Sequence, residues 1–398
     1  MLKFCFAWIK MFLAQIYVKF FGKKLIKKNL WIISEKKTEA RDNGYHFFKY
    51  MQKNHSEIES IYVIQKGCSD CSKVESIGPT INFNSFKHCV YYYAAKYRVC
   101  SQIHGVRPYE EIRGIRRFSI YKREDQRHIN LKHGISKDTR PDAFDFRKAG
   151  FDLYIAAAKP EYDYIKDTFD YPDKNIALTG FCRFDALHNL QEPDRMVLIM
   201  PTFREWLRTS DSSKDRASDE EMKIFMDSDY YKAYRDLLSN NSLLNIVRKY
   251  GYKINFYMHY TFQPYRYAFE NLTNDVVTVC SRDQYDVQNL MKTSAMMITD
   301  FSSVFFDYAY MKKPLIYYQF DLTAYRKKHY QEGYFSYERD GFGPVITEQQ
   351  NIIDCIARLF QRNCKMEEEY EKRVEKFFIP YDDHNCERVY EAILRLES

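Results

Sequence analysis

Closely spaced cysteines are almost absent from this chain of 398 residues. Of its 10 cysteines, only Cys68 and Cys71 form a C-x-x-C pair. No second pair exists to complete a zinc site, so the pattern indicates ordinary free thiols. Scattered free thiols, in a chain that begins without a cleavable signal, are typical of the reducing cytosol.

A long uninterrupted apolar run is also missing. The first 28 residues are apolar, but Lys10 and Lys19 interrupt them and no small-residue cleavage site follows. This pattern excludes a signal peptide and a spanning helix. Wound as an amphipathic helix, the segment predicts a polar side made of Lys3, Ala7, Lys10, Ala14 and Tyr17. A basic cluster follows at Lys23, Lys24, Lys27 and Lys28. We expect residues 1–28 to lie on an anionic membrane surface, and a core-packed helix is the alternative.

The overall composition is that of a globular protein with a basic balance. Hydrophobic residues make up 45% and charged residues 29%, and the length allows two domains. The net charge of +7 suits an anionic partner. Because the basic residues do not gather on a recognisable nucleic-acid-binding motif, we expect no nucleic-acid partner.

Strands alternate with helices along the whole chain, which predicts an α/β fold with parallel sheets. The composition turns polar at residues 191–194, just before a new apolar strand. We therefore predict a first Rossmann-like domain over residues 29–190 and a second over residues 191–398, facing each other across a cleft.

The stretch over residues 295–318 is the clearest strand–helix–strand unit. An apolar strand is followed by a polar turn, a helix and a second apolar strand. The turn is therefore expected at the carboxyl end of a parallel sheet, where open α/β folds bind ligands. Ser302 and Ser303 are predicted at the N-cap and first helical positions, where hydroxyls and free N–H groups can hold a phosphate. A capping role alone is the alternative.

Several strings occur in order along nearly the whole chain after the N-terminal segment: LKHG, LTGFCRFDAL, MPTFRE, INFYMH, ITDFSSVFFDYAYMKKPLIYY and GPV. Together they resemble the CDP-glycerol glycerophosphotransferases, the teichoic acid primases and polymerases with their capsule-polymer relatives. The resemblance implies a GT-B-like fold and a peripheral protein at the cytoplasmic face of a bacterial cell membrane. It also implies transfer of a polyol phosphate from CDP-glycerol or CDP-ribitol to a lipid-linked or oligosaccharide acceptor, with release of CMP.

The resemblance also implies roles for two histidines. His133 matches the histidine that is proposed to remove the acceptor proton, and Gly134 leaves room beside it. His259 matches the second family histidine, although Tyr260 stands where the family usually has proline. A structural histidine at the end of a strand is the alternative for His133.

Further positions match the family's donor site. Ser302 and Ser303 match the serines that cradle the donor phosphates, and Arg183 would direct a guanidinium at phosphate. A surface ion pair with Asp185 is the alternative for Arg183. Thr202 and Arg204 follow the end of a strand, where we expect contacts to phosphate, polyol or acceptor.

Acidic and small residues complete the expected site. Asp300 and Asp307 are predicted to bind the polyol or ribose hydroxyls, with bracing of the loop as the alternative for Asp300. Asp42, Asn43 and Gly44 occupy the first strand-to-helix loop and are predicted on the acceptor side. The D-x-D string of Asp227 and Asp229 lies in a charged, helical region and is interpreted as solvated surface. No metal ligand or cofactor is assigned from the sequence, and dependence on magnesium stays open.

A sugar-transferring GT-B enzyme is the alternative reading. Such an enzyme would also bind a nucleotide diphosphate between two domains. Many of them carry an acidic ribose-binding residue in a glycine-rich setting, whereas this chain has the apolar helix over residues 304–311 and only 13 glycines.

Overall fold

The computed structural model describes residues 2–112, 123–138, 145–188, 190–208 and 211–397. The strands of these residues follow in chain order: β1 (Trp31–Ser34), β2 (Ser60–Ile64), β3 (Thr80–Asn82), β4 (Tyr97–Cys100), β5 (Arg127–Asn130), β6 (Leu153–Ala156), β7 (Ile176–Leu178), β8 (Asp194–Met200), β9 (Lys253–Phe256), β10 (Val277–Val279), β11 (Ser294–Thr299), β12 (Leu315–Tyr318) and β13 (Val345–Ile346).

The α-helices of the same residues are α1 (Leu2–Phe21), α2 (Lys23–Ile26), α3 (Asn43–Asn54), α4 (Cys71–Glu75), α5 (Phe86–Ala94), α6 (Phe146–Ala149), α7 (Lys159–Phe169), α8 (Asp219–Met226), α9 (Asp229–Leu238), α10 (Asn241–Lys249), α11 (Val287–Thr293), α12 (Phe305–Tyr310), α13 (Leu322–Lys328), α14 (Tyr337–Asp340), α15 (Gln349–Gln361), α16 (Glu368–Phe377) and α17 (Asn385–Leu394). Short 3-10 helices cover Asp173–Asn175, Cys182–Leu187, Glu205–Leu207, Tyr260–Leu272 and Arg395–Glu397.

The chain divides into two compact units. The first contains the described residues of Met1–Ile135, Pro141–Ala186 and Pro380–Ser398, and the second those of Ser136–Arg140 and Leu187–Ile379. The main division at Leu187 lies near the expected boundary at residues 190 and 191. The expected extent of the second domain needs a correction at its end, because α17 packs with the first unit. There the carboxylate of Asp185 accepts hydrogen bonds from the backbone amides of Asn385 and Cys386 at the start of α17.

Each unit is built around one parallel sheet. The first has the strand order β3-β2-β1-β4-β5-β6-β7, and the second β10-β9-β8-β11-β12-β13. The paired strands of both sheets run parallel, and the central strands β1 and β11 are buried along their full length. Burial on both faces explains why these strands are continuous apolar runs in the sequence.

The order of connection reverses once in each sheet. In the first unit the reversal lies between β1 and β4, and in the second between β8 and β11. Loops at the carboxyl ends of the strands beside such a reversal form a crevice that open α/β sheets use for ligands. The fold therefore marks one candidate ligand edge in each unit.

Helix α1 packs against α5 through small and flexible side chains. Ala7, Met11, Ala14 and Val18 are each at most 1% exposed and share a core cluster with Val90 and its neighbours on α5. The sequence pattern had placed Ala7 and Ala14 on a polar side, and this assignment is wrong. Helical periodicity shows which residues share a face, and the small alanines let that face approach a second helix closely.

The opposite side of α1 is apolar and exposed to solvent. Its exposed large side chains are Phe6, Ile9, Phe12, Leu13, Tyr17, Phe20 and Phe21. Among the described residues, no helix is both long and apolar enough to cross a bilayer.

Candidate functional site

The second unit gathers most of the expected donor residues at one edge of its sheet. Thr202 and Arg204 follow β8, His259 follows β9, and the loop with Asp300, Ser302 and Ser303 follows β11. The strands β8 and β11 are the pair where the strand order reverses. The amide of Thr202 donates to the carboxylate of Asp300 at 2.8 Å, which ties the two loops together.

Arg204 lies inside this edge, and it is not a surface contact for phosphate. Its side chain is 0% exposed, and it pairs with Asp321 at 2.7 Å and with Asp300 at 2.9 Å. A third bond runs from Nη1 to the carbonyl of Thr202 at 2.7 Å. Burial disfavours the charge, yet the two carboxylates keep the pKa of Arg204 above its usual value. The expectation of direct phosphate binding by Arg204 is therefore replaced by a positioning role.

Asp300 is equally buried and braces the loops. Its carboxylate accepts hydrogen bonds from the amides of Thr202 and Phe301 and from the hydroxyl of Tyr234, in addition to the Arg204 pair. With 0% exposure, it has no surface to offer a polyol. The bracing alternative fits this geometry, and the predicted polyol contact does not. Asp307 lies in the first turn of α12 and is 6% exposed.

Ser302 and Ser303 lie before the N-cap of α12, whereas the sequence predicted them at the N-cap and the first helical position. The N-cap of α12 is Val304, without a side-chain cap, so the serines are neither the N-cap nor the first helical residue. The turn before the helix is closed by backbone bonds from Phe305 to Ser302 and from Phe306 to Ser303. The capping role is thereby excluded for both hydroxyls. Across the described ranges neither hydroxyl makes a hydrogen bond, and Ser303 is exposed.

Thr202 provides a third hydroxyl in the loop tied to Asp300. Its Oγ1 is buried and has no hydrogen-bond partner within the described part of the chain, and the residue is 6% exposed. A buried hydroxyl without a partner costs free energy unless something satisfies it. A bound ligand oxygen would remove that cost.

His259 lies on the same edge with one nitrogen already engaged. Its Nδ1 accepts a hydrogen bond from the amide of Thr261 at 3.1 Å. The neutral imidazole therefore carries its proton on Nε2. The ring stacks on Phe203 with centroids 4.8 Å apart, which fixes the plane of the imidazole.

A second imidazole, which the sequence analysis missed, lies against the same phenylalanine. His329 contacts Phe203 edge-on at 4.7 Å, and its Nδ1 accepts from the amide of Glu205 at 3.1 Å. It stacks on Tyr325 at 4.7 Å. No spacing in the sequence connects His329 with a residue more than one hundred positions away.

The first unit gathers the remaining expected residues at its own carboxyl edge. Asp42 is the N-cap of α3, and its carboxylate pairs with Arg183 at 2.8 Å. The alternative partner considered for Arg183 was Asp185, which instead caps α17. The side chain of Arg183 is only 8% exposed, and its ion pair with Asp42 holds the guanidinium in the loop.

Asn43 and Gly44 stabilise the loops at this edge. The fully buried amide of Asn43 donates to the carbonyls of Leu131 and Lys132 at 3.1 and 2.8 Å, and its oxygen accepts from the amide of Arg183 at 3.1 Å. A Cβ on Gly44 would lie 2.5 Å from the carbonyl oxygen of Ser34, so glycine lets α3 approach β1. The side chain of Asn43 is thus engaged within the fold, and an acceptor contact at these two positions stays a prediction.

His133 is exposed on the loop that Asn43 holds. The preceding residue, Lys132, has a φ of 57° and is 3% exposed. This left-handed residue sends the lysine inward and the histidine outward. A structural, buried histidine is excluded by the exposure of His133.

Glu35 lies beneath the same loops and was missed by the sequence analysis. It accepts hydrogen bonds from the amides of Arg41, Asp42 and Tyr45, at the end of β1. Burial, with the neighbouring carboxylate of Asp42, raises the pKa of Glu35 to about 8. A buried carboxyl group is thus built into the loop that carries Asp42 and Asn43.

Asp227 and Asp229 lie at the junction of α8 and α9, where Ser228 caps α9. Both aspartates are exposed, as expected for solvated surface. Within the described ranges, no group of three His, Cys, Asp or Glu residues could hold a metal ion.

Known structures share this two-unit α/β architecture. The wall teichoic acid polymerase TagF superposes with a TM-score of 0.64 and 17% identity, over 98% of each chain. A Staphylococcus aureus protein, MnaA in complex with UDP, superposes with a TM-score of 0.55 and 13% identity, over 92% of this chain and 97% of that one. At these identities the likeness shows the fold, and it confirms the predicted α/β class with two Rossmann-like domains.

The family follows from the sequence comparison. The family model described as CDP-glycerol:poly(glycerophosphate) glycerophosphotransferase matches residues 15–395. The minor teichoic acid biosynthesis protein GgaB of Bacillus subtilis is 31% identical over 379 residues, which are 94% of this chain and 40% of that protein. The chain belongs to this glycerophosphotransferase family, which confirms the resemblance of its motifs. It spans less than half of the length of GgaB.

Proposed function

We propose that this protein transfers glycerol phosphate or ribitol phosphate from a CDP-activated donor to an acceptor hydroxyl and releases CMP. The acceptor would be a lipid-linked or oligosaccharide chain in teichoic acid or capsular polysaccharide synthesis. Membership of the glycerophosphotransferase family over residues 15–395 supports the reaction class. The observation that carries the proposal is the set of unsatisfied hydroxyls beside the strand reversal of the second unit.

The donor pyrophosphate is assigned to that edge. Thr202, Ser302 and Ser303 supply hydroxyl donors, and His259 lies on the loop after β9 at the same edge. The buried pair of Arg204 and Asp300 connects the loop that carries Thr202 with the loop that carries the two serines. Preorganised donors of this kind stabilise charge that develops on a leaving phosphate. Asp307 stays a candidate for a ribose or polyol contact.

The acceptor is assigned to the first unit, with His133 as the general base. The histidine is exposed at the end of β5, on a loop whose two preceding carbonyls are held by Asn43. A positioned base that removes the proton of an alcohol contributes about two to four decades of rate. Asp42 and Arg183 lie at the same edge of the first unit, where Arg183 would contact a phosphate after release of its pair with Asp42.

A membrane surface is proposed as the place of action. Phe6, Ile9, Leu13, Tyr17 and Phe20 follow one another at intervals of three or four residues, so they form one apolar stripe on the exposed side of α1. Exposed lysines over residues 23–28 follow directly. Apolar side chains beside lysines suit the inner leaflet of a bacterial membrane, where acidic lipids attract the basic cluster. The protein would then be peripheral, at the cytoplasmic face.

The test is a comparison of donors. The purified protein is incubated with a prepared acceptor and with CDP-glycerol, CDP-ribitol or UDP-glucose, and released nucleotide is separated by chromatography. We expect CMP from one or both CDP-polyols and no UDP from UDP-glucose. Release of UDP alone would instead identify a sugar transferase. Repeating the assay with and without magnesium and EDTA measures the dependence on metal.

A further inference from the structure

The loop of His133 is held by a buried ion pair as well as by Asn43. Lys132 pairs with Glu161 of α7, and the two side chains are 4% and 0% exposed. The ammonium also lies over the ring of Tyr154, with Nζ 5.2 Å from its centroid. In a buried ion pair, the attraction between the charges offsets their loss of hydration only when the geometry of the pair is good.

The backbone conformation of Lys132 connects its ion pair with Glu161 to the orientation of His133. Lys132 adopts a left-handed conformation that a non-glycine residue seldom takes. Its amide donates to the side chain of Asn130 at 2.7 Å, and its carbonyl accepts from Asn43 at 2.8 Å. The side chain of Lys132 is the third point of attachment, and it pairs with Glu161 in the first turn of α7.

Glu161 is itself firmly placed. Its second oxygen accepts from the amide of Ala157 at 2.8 Å. Ala158, the N-cap of α7, provides no side-chain cap. The carboxylate therefore links the first turn of α7 to the lysine beside His133.

We propose that Glu161 is a positioning residue for His133, acting through Lys132. The ion pair fixes the left-handed turn that presents the imidazole to solvent while its neighbour is buried. The inference rests on the proposed function only where it concerns catalysis, since the orientation of His133 is a property of the free protein. No catalytic contact of Glu161 with substrate is implied.

The test compares three variants with the full-length protein. Glu161→Gln keeps the shape and removes the charge that holds Lys132. Asp163→Asn is the matched control, because Asp163 lies on the same helix in an exposed ion pair with Lys159. The double variant Lys132→Met/Glu161→Gln removes both buried charges, so it restores stability that a lone buried ammonium would cost.

Each variant is measured for kcat and KM of CMP release with CDP-glycerol, for melting temperature, and for the ¹⁵N chemical shifts of the His133 imidazole. We expect Glu161→Gln to lower kcat by about ten- to one-hundred-fold with KM within about three-fold, because small misplacements of a catalytic group are that costly. The double variant should recover the melting temperature of the unmodified protein, while its kcat stays low. The imidazole shifts should move in both variants and stay unchanged in Asp163→Asn.

Two results would overturn the proposal. Unchanged imidazole shifts in Glu161→Gln would show that the ion pair does not orient His133. Recovery of kcat together with melting temperature in the double variant would show a role in stability alone. If the unmodified protein releases no CMP, the proposed function fails, and the imidazole shifts still decide the role of Glu161.

Discussion

Arg204 and Asp321 form a two-point ion pair in the second unit, with Nε 2.7 Å from Oδ2 and Nη2 2.9 Å from Oδ1. The same guanidinium reaches Asp300, so one cation joins the loops after β8, β11 and β12. An arginine that the sequence predicted as a phosphate ligand is an internal support of these loops.

The first prediction concerns this support. Arg204→Met leaves Asp300 and Asp321 without their cation, and breaking such a buried pair costs about 3–5 kcal/mol. We expect a large fall in melting temperature. The matched control is Arg248→Met, since Arg248 makes an equally short two-point pair with Asp275 on the surface. That exposed pair contributes little to stability, because water and salt screen both charges. Equal melting temperatures for the two variants would contradict the internal role.

The second prediction concerns the donor hydroxyls. Ser302→Ala/Ser303→Ala should slow CMP release by about 10²-fold or more, the scale observed for the loss of a preorganised donor. The melting temperature should change little, because these hydroxyls make no hydrogen bonds within the described residues. Ser242→Ala, at an exposed position of α10, is the control. Turnover at the unmodified rate in the double variant would place the phosphate site elsewhere.

The third prediction is a pH dependence of stability from Glu35. Its pKa is raised to about 8 in the folded protein, so the folded state binds a proton that the unfolded chain releases near pH 4.5. The unfolded state therefore holds fewer protons between these values, and stability falls as the pH rises through this window. We expect the melting temperature of the unmodified protein to fall more steeply from pH 5 to pH 8 than that of Glu35→Gln.

The control for Glu35 is the exposed Glu124 of the same unit. Glu124→Gln should leave the slope of melting temperature against pH unchanged. Parallel curves for Glu35→Gln and the unmodified protein would show that the carboxyl group does not take up a proton on folding.

The fourth prediction concerns the exposed face of α1. Replacing Phe6, Phe20 and Phe21 by serine leaves the packed face intact, because these side chains are 63%, 64% and 72% exposed. Transfer of one exposed phenylalanine side chain from water into the apolar part of a membrane contributes about 1.5–3 kcal/mol to binding. Binding to vesicles of phosphatidylglycerol and phosphatidylcholine should therefore weaken by at least about 10²-fold.

The matched control replaces Ile224 and Ile379, which are 54% and 57% exposed in the second unit, by serine. Binding that falls equally in both variants, or in neither, would rule out α1 as the membrane contact. A triple variant that keeps its melting temperature shows that the loss is not one of folding.

The alternation of strands and helices revealed much of the fold because each element carries its own pattern. The unit expected over residues 295–318, with its helix over 304–311, is an example: it spans Ser294 to Tyr318, and its helix is Phe305–Tyr310. The C-terminal end of the second domain could not be placed from the pattern, because the contact that recruits α17 joins Asp185 to Asn385.

The sequence indicated candidate site residues but not the partners that hold them. Motif resemblance indicated His133, Ser302 and Ser303, but it could not separate ligands from supports. Arg204 follows a strand end as a ligand would, and its partner Asp321 is 117 positions away. Lys132 and Glu161 are separated by 29 positions and share no helical or strand period. Partners brought together only by the fold leave no local signal in the sequence.

The most direct test of the account is the effect of His133→Ala on CMP release from CDP-glycerol, measured beside the affinity for CDP-glycerol by calorimetry. The account predicts a fall in turnover of about 10²- to 10⁴-fold, the contribution of a general base, with the dissociation constant within a few-fold of the unmodified protein. Normal turnover in His133→Ala, or a loss confined to donor affinity, would contradict it and direct the search for the base to His259.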